Sequence, residues 1–175
     1  VLQHLFSREL SLLNQVNDFI HYYDSIRRRT MTFIQAVPAD KIDWAPAEGE
    51  FTFGDLIRHL AAAEAMFVTA VVDQQWRYDG HTAPDNQSLA QAVAALTTGH
   101  DQAIAALRTL PDERLAQYGP SLEGTPVRAW RLLMAMVEHE IHHRSQLAMY
   151  LTLNHIKPPH IYGLGVEDVI ARVTG

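Results

Sequence analysis

The sequence predicts an all-α fold, a four-helix bundle with a short C-terminal extension. Four segments of roughly 20 to 30 residues repeat apolar side chains at three- and four-residue intervals, the period of a helix buried along one side. No segment alternates apolar and polar residues at a period of two, so a sheet has no candidate strands. With 175 residues, 47% of them hydrophobic, the chain can bury one core but hardly two, and residues 1–175 are read as a single domain.

The first helix is expected from about Ser7 to Val37, where Leu10, Leu13, Val16, Ile20 and Tyr23 trace one stripe before Pro38 stops it. After a loop containing Pro46 and Gly49, Thr52 or Phe53 opens the second helix, with a stripe of Leu56, Leu60, Ala63, Phe67 and Val71. The third is rich in Ala, lies between about Ser88 and Leu110, and is closed by Pro111. The fourth begins near Pro126, a residue tolerated in a first turn, with Thr125 as N-cap, and runs to about Asn154. Lys157-Pro158-Pro159 through Gly163 reads as a pinned loop, and Gly165 to Val173 as one short added helix.

Charge and composition narrow the function classes. Fourteen Lys and Arg stand against 20 Asp and Glu, a formal balance of −6, so no nucleic-acid partner is expected. The one basic run, Arg27-Arg28-Arg29, points around a helix and reads as a solvated face. No apolar run approaches the roughly 18 residues needed to span a bilayer, so no membrane association is expected. The stretch Val1 to Phe6 lacks the order of a secretory signal, which makes a cytoplasmic location the default expectation. There is no cysteine and there are 10 histidines. Thiolate nucleophiles and Cys-based metal sites are thereby excluded, leaving imidazole and carboxylate as ligands.

The densest constellation is Glu138-His139-Glu140-Ile141-His142-His143 in the fourth helix. At 100° per residue, Leu132, Met136, His139, His143, Leu147, Tyr150 and Leu153 share one side, so His139 and His143 interrupt the core stripe one turn apart. Two imidazoles so placed can reach a common metal ion. They can also be core histidines satisfied by neighbours, but each then needs partners, and their proximity disfavours protonating both. His59, between Leu56 and Ala63 on the core side of the second helix, completes a three-histidine set from two helices. A catalytic zinc-type site uses three such ligands and leaves a position open to water.

The other candidates are weaker. His142 lies nearer solvent, where Glu138 can pair with it across a turn. His4, His21 and His100 look isolated on their helices, and His81, His155 and His160 fall in or beside loops, from which His81 or His160 could approach the bundle mouth. Glu140 is the one catalytic candidate, as a base or a group behind the ligands, but its position round the helix favours solvent; Glu64, five residues after His59, is equally ambiguous. His139-Glu140-x-x-His143 also matches the metalloprotease pattern, with Glu140 as base and Glu167 as a conceivable third ligand. Its longer form fails because Gln146 and Met149 occupy the Gly and His positions. The di-iron bundle pattern fails because no second Glu has His three residues later.

Trp44-Ala45-Pro46, Phe53-Gly54-Asp55-Leu56-Ile57-Arg58-His59-Leu60-Ala61-Ala62-Ala63-Glu64 and Glu138-His139-Glu140-Ile141-His142-His143-Arg144-Ser145-Gln146-Leu147, with Tyr150-Leu151 and the ending Ile156 to Gly163, resemble the DinB/YfiT-like metalloprotein superfamily over about residues 20 to 165. The family's glycine after His-His-Arg is Ser145 here, still a small residue. The resemblance implies a divalent metal on three histidines, mapping onto His59, His139 and His143. It also implies an up-down-down-up bundle whose second and third helices run parallel. The connection from about Tyr78 to Gln87 must then span the bundle nearly extended. Two activities are implied: metal-dependent hydrolysis, and transfer of a low-molecular-weight thiol to a small-molecule electrophile. The alternative class is a non-catalytic metal-binding or stress-response bundle. Zn or Ni are the expected ions, with Fe, Mn or Cu as alternatives; imidazole suits Zn, Ni, Cu and Fe. Apolar positions on the first and third helices support the homodimer that the resemblance implies.

Overall fold

The computed structural model describes residues 14–82, 84 and 87–174. The beginning of the first predicted helix, with Leu10 and Leu13, and His4 lie outside the described residues. The helices are α1 (Val16–Gln35), α2 (Phe53–Val72), α3 (Leu89–Leu107), α4 (Ala129–Leu153) and a short α5 (Val166–Thr174). No described helix is long and apolar enough to cross a membrane.

Two of the starts have a local cause. Thr52 and Asp55 form a capping box on α2, the threonine hydroxyl accepting from the Asp55 N–H at 2.9 Å and the carboxylate from the Thr52 N–H at 2.9 Å. Ser88 and Gln91 do the same for α3. Ahead of α2 the chain folds back on itself, Gly54 N–H donating to the Ile42 carbonyl at 2.8 Å. A Cβ on Gly54 would sit 2.9 Å from Ile42 Cγ1, too close for any other residue without a shift. The fourth helix differs from expectation. It starts at Ala129, with Arg128 rather than Thr125 at its N-cap, because Val127–Arg128 pairs antiparallel with Tyr118–Gly119. Those two strands, β1 (Tyr118–Gly119) and β2 (Val127–Arg128), are only two residues each, too short for alternation to register in a sequence.

The core has two apolar halves, which fix the direction of every helix. One half gathers Phe19 and Tyr23, Val68 and Val71, Ile104 and Leu107, and Leu133 and Met136. The other gathers Phe33 and Ile34, Phe53 and Leu56, Ala92 and Leu96, and Leu147 and Leu151. α1 and α4 therefore enter at one half and leave at the other, while α2 and α3 run the opposite way, parallel to each other. The up-down-down-up order is realised. The parallel pair needs a long return, and α2 makes room for it by ending at Val72, one residue past its stripe and ahead of the connection expected from about Tyr78, with Gln74 at φ 58°. Arg58, in the second turn of α2, pins that return by donating to the His81 carbonyl at 2.9 Å and to Gln87 Oε1 at 3.0 Å.

Between the halves lies a polar layer to which each of the four long helices contributes. Arg27 Nη2 of α1 meets Glu64 of α2 at 2.6 Å and Glu140 of α4 at 2.9 Å; Tyr23 donates to Glu140 at 2.7 Å. His100 of α3 contacts Glu64 at 2.7 Å and Asp24 at 3.2 Å. This layer corrects three expectations. Arg27 is 4% exposed rather than part of a solvated face, although Arg28 is exposed; Glu140 is 2% exposed rather than facing solvent; His100 is bound rather than isolated. α4 packs on both α1 and α2, so its buried arc is wide enough to enclose Glu140 as well as the histidines and to cover Arg27, while α3 packs on α2 and α1, which brings His100 against Glu64 and Asp24. Leu153, placed on the core stripe by projection, is 53% exposed because the stripe outruns its neighbours at the helix end.

Candidate metal centre

The three expected histidines meet at mid-height on the seam between α2 and α4. His59 Nε2 lies 3.0 Å from His139 Nε2, which lies 3.1 Å from His143 Nε2. The potential ligand atoms are all within 4.8 Å of one another. Three imidazole nitrogens about 2.0–2.1 Å from a tetrahedral ion stand roughly 3.3 Å apart, so the donor set fits a small divalent ion with shifts of a few tenths of an ångström. Among the described residues no fourth His, Asp or Glu joins the cluster.

The outer nitrogens decide which tautomer each ring adopts. His143 Nδ1 faces Gln146 Oε1, an acceptor only, so Nδ1 carries the hydrogen and Nε2 keeps its lone pair for the centre. His59 Nδ1 lies 2.7 Å from the Tyr78 hydroxyl, which lies 2.8 Å from His81 Nδ1. Donation from His59 to Tyr78, and from Tyr78 to His81, again frees the His59 Nε2. His81 thus reaches the mouth as expected, carried by the return between α2 and α3. Phe51 closes that side, 5.3 Å from the His59 ring and 4.5 Å from the His81 ring between centroids. Replacing Tyr78 by Phe is expected to weaken divalent-metal binding about 10- to 100-fold, the usual penalty for losing an orienting partner. Its ring is 41% exposed, so the fold should not change, and competition with a chromophoric chelator reads the affinity.

Burial and mutual repulsion keep the triad neutral. Burial first, then the His143 and His81 charges, holds His59 down to about 4. Burial, then His143, His59 and His142, holds His139 down to about 3. His143 is lowered as well, chiefly by burial. In the unfolded chain these imidazoles take up protons near pH 6.5, whereas the folded state refuses them until near 4 and 3. The unfolded state then binds more protons, so the metal-free protein is expected to lose stability as pH falls from about 6.5 through the lowered values. Urea midpoints in chelator should show this slope, and a variant with all three histidines changed to Gln should flatten it.

Other sequence candidates fall outside the cluster. His142 is exposed, and Glu138 pairs with Arg131 at 3.1 Å instead of with it. His160 lines a separate pocket beside Arg144, and Glu167 is exposed on α5. Glu140 is 2% exposed, with Oε2 held by Tyr23 and Arg27 and Oε1 enclosed, so the carboxylate is not open to a substrate as the base of the metalloprotease pattern must be. Sequence reasoning missed Tyr78 and Gln146. Gln146 sits three residues after His143 on the same helix and could have been found by spacing; Tyr78 lies in a loop and carries no periodic signal.

Residues 22–147, which include all three histidines, match the family model of the DinB superfamily. The chain belongs to the DinB superfamily. This DinB-superfamily chain is 24% identical over 143 residues to the uncharacterized protein YjoA of Bacillus subtilis (strain 168), spanning 78% of this chain and 89% of that protein. Its fold is similar to the crystal structure of YjoA, a DinB-like protein, with a TM-score of 0.67 at 21% identity over 85% of this chain and 98% of that one. A DinB-like protein from Bacillus cereus ATCC 10987 gives a TM-score of 0.71 at 16% identity, covering 84% and 97%. YfiT from Bacillus subtilis, described as a probable metal-dependent hydrolase with an unusual four-helix bundle topology, gives 0.53 at 19% identity, covering 79% and 88%. At these identities the structural likeness concerns the fold.

Proposed function

We propose that this DinB-superfamily chain is a metal-dependent enzyme, holding one divalent ion on His59, His139 and His143. The observation that carries this reading is the convergence of three Nε2 atoms from two helices with no fourth protein ligand among the described residues, the pattern of a catalytic rather than a closed structural site. The reaction class is hydrolysis, in keeping with the description of YfiT, or transfer of a low-molecular-weight thiol. A bound divalent ion supplies Lewis acidity, which makes water or a thiol nucleophilic at neutral pH.

The chain's own residues do the rest. Gln146 and Tyr78 hold two ligand rings in the productive tautomer. Phe51 and Tyr78 wall the mouth, and His81, hydrogen-bonded to Tyr78 at its rim, stands where a proton can be passed to a departing group. The chain has no cysteine, so any sulfur in the chemistry arrives with a substrate.

Elemental analysis of protein purified without a histidine tag is expected to find one equivalent of divalent metal. A screen of esters, amides and thiol–electrophile pairs should then show turnover that chelator removes and metal restores. Metal without turnover of any pair would leave a metal-binding bundle and overturn the enzyme reading; no metal would overturn the site.

A further inference from the structure

A second pocket lies away from the histidines, on the face where α4 meets the end of α1 and the loop before α5. It holds about 360 Å³ and is walled by Phe33, Ala148, Pro158, Pro159 and Tyr162, with Arg144 at its base. Arg144 is only 7% exposed, and no acceptor hydrogen-bonds to it among the described residues; its Nη1 is fully enclosed without a partner. Buried guanidinium groups are nearly always paired, so an orphaned one calls for an acceptor from elsewhere.

The nearby charges favour an anion. Arg29 stacks on the Tyr162 ring 5.3 Å away, and His160 lines the same pocket. None of the carboxylates in the region pairs with Arg144. Glu140, one turn back on α4, gives its Oε2 to Tyr23 and Arg27; its Oε1 is enclosed without a hydrogen bond among the described residues and forms no ion pair with Arg144. On α5, Asp168 accepts from the Gly165 N–H at 2.8 Å, and Glu167 is exposed beside it. One buried guanidinium in mostly apolar walls suits a single negative charge on a compact apolar body.

We infer that this pocket binds a small apolar carboxylate, its oxygens accepting from Arg144 and its body lying between Phe33, Ala148 and the Pro158-Pro159 loop. The site is separate from the histidine cluster and does not depend on how that cluster is read. The planar fork of Arg matches a carboxylate and cannot be replaced by a point charge without loss.

Benzoate is the probe, with benzamide and inorganic phosphate as comparisons, followed by amide resonance shifts in both metal-free and metal-loaded protein. Benzoate should shift Ala148, Ile161 and Tyr162 saturably in both forms, more strongly than phosphate, while benzamide does not. Arg144→Met should weaken this about 10- to 100-fold, the usual loss for a hydrogen-bonded charge, and Arg144→Lys less. Ala148→Met, which fills the pocket and keeps the arginine, should also block it. Because the guanidinium has no protein acceptor, Arg144→Met should leave the melting temperature of the free protein unchanged or higher. Failure of benzoate to bind, binding that survives Arg144→Met, shifts confined to Phe51 and His81, tighter binding of phosphate, or a marked fall in melting temperature from Arg144→Met would each overturn the assignment.

Discussion

Replacing His143 by Ala is expected to lower divalent-metal affinity by more than about 100-fold, beyond the 10- to 100-fold that outer partners such as Tyr78 contribute. His143 is the most enclosed of the three, 8% exposed, and its Nε2 is the second contact of His139 at 3.1 Å. Its loss leaves two nitrogens, too few to hold a small ion against water. The vacancy is in the middle of α4, where alanine is a strong helix former, so helicity should persist. Metal content after dialysis, and turnover on any substrate found by screening, should fall together. An alanine variant that retained both would show that the cluster is an ordinary set of core histidines.

The second large effect concerns stability. Changing Arg27 to Met leaves Glu64 and Glu140, each 2% exposed, without the cation that bridges them at 2.6 and 2.9 Å. Removing one partner of a buried ionic cluster typically costs about 3–5 kcal/mol. At about 2–4 °C per kcal/mol for a chain of this size, the melting temperature should fall by roughly 6–20 °C. Adding Glu64→Gln and Glu140→Gln should recover part of it, because the neutral amides no longer need a cation. If Arg27→Met melted within about 2 °C of the wild type, Glu64 and Glu140 would not depend on this cation. The layer also has loose ends: among the described residues Arg27 Nε and Nη1 and Glu140 Oε1 have no hydrogen-bond partner, which fits a cluster that sets helix register more than it adds stability.

What could be read from the sequence followed the helical period. Helix number, the α2 and α3 starts at Thr52 and Ser88, and the three histidines were legible because capping chemistry and a 100° step are local properties. The α4 start was not, since its boundary depends on a β1–β2 pairing made across a loop.

Projection assigns each side chain an angle about its own helix and nothing more. It separated His139 and His143 from the exposed His142, but it put Glu140 in solvent because the second neighbour of α4, α1, is invisible from within α4. Arg27 was read as solvated for the same reason: a charged residue is buried only where opposite charges from other helices converge on it, here Glu64 and Glu140. Tyr78 and His81 reach the histidines through a non-periodic loop whose course is imposed by the parallel α2–α3 pair and pinned by Arg58. The sequence by itself determined the bundle and the three-histidine cluster, because both are written in one-dimensional spacing. Only the tertiary structure decided which charges are buried, which groups orient the histidine rings, and where Arg144 is left without a hydrogen-bond partner among the described residues, because those depend on distances between segments far apart in the chain.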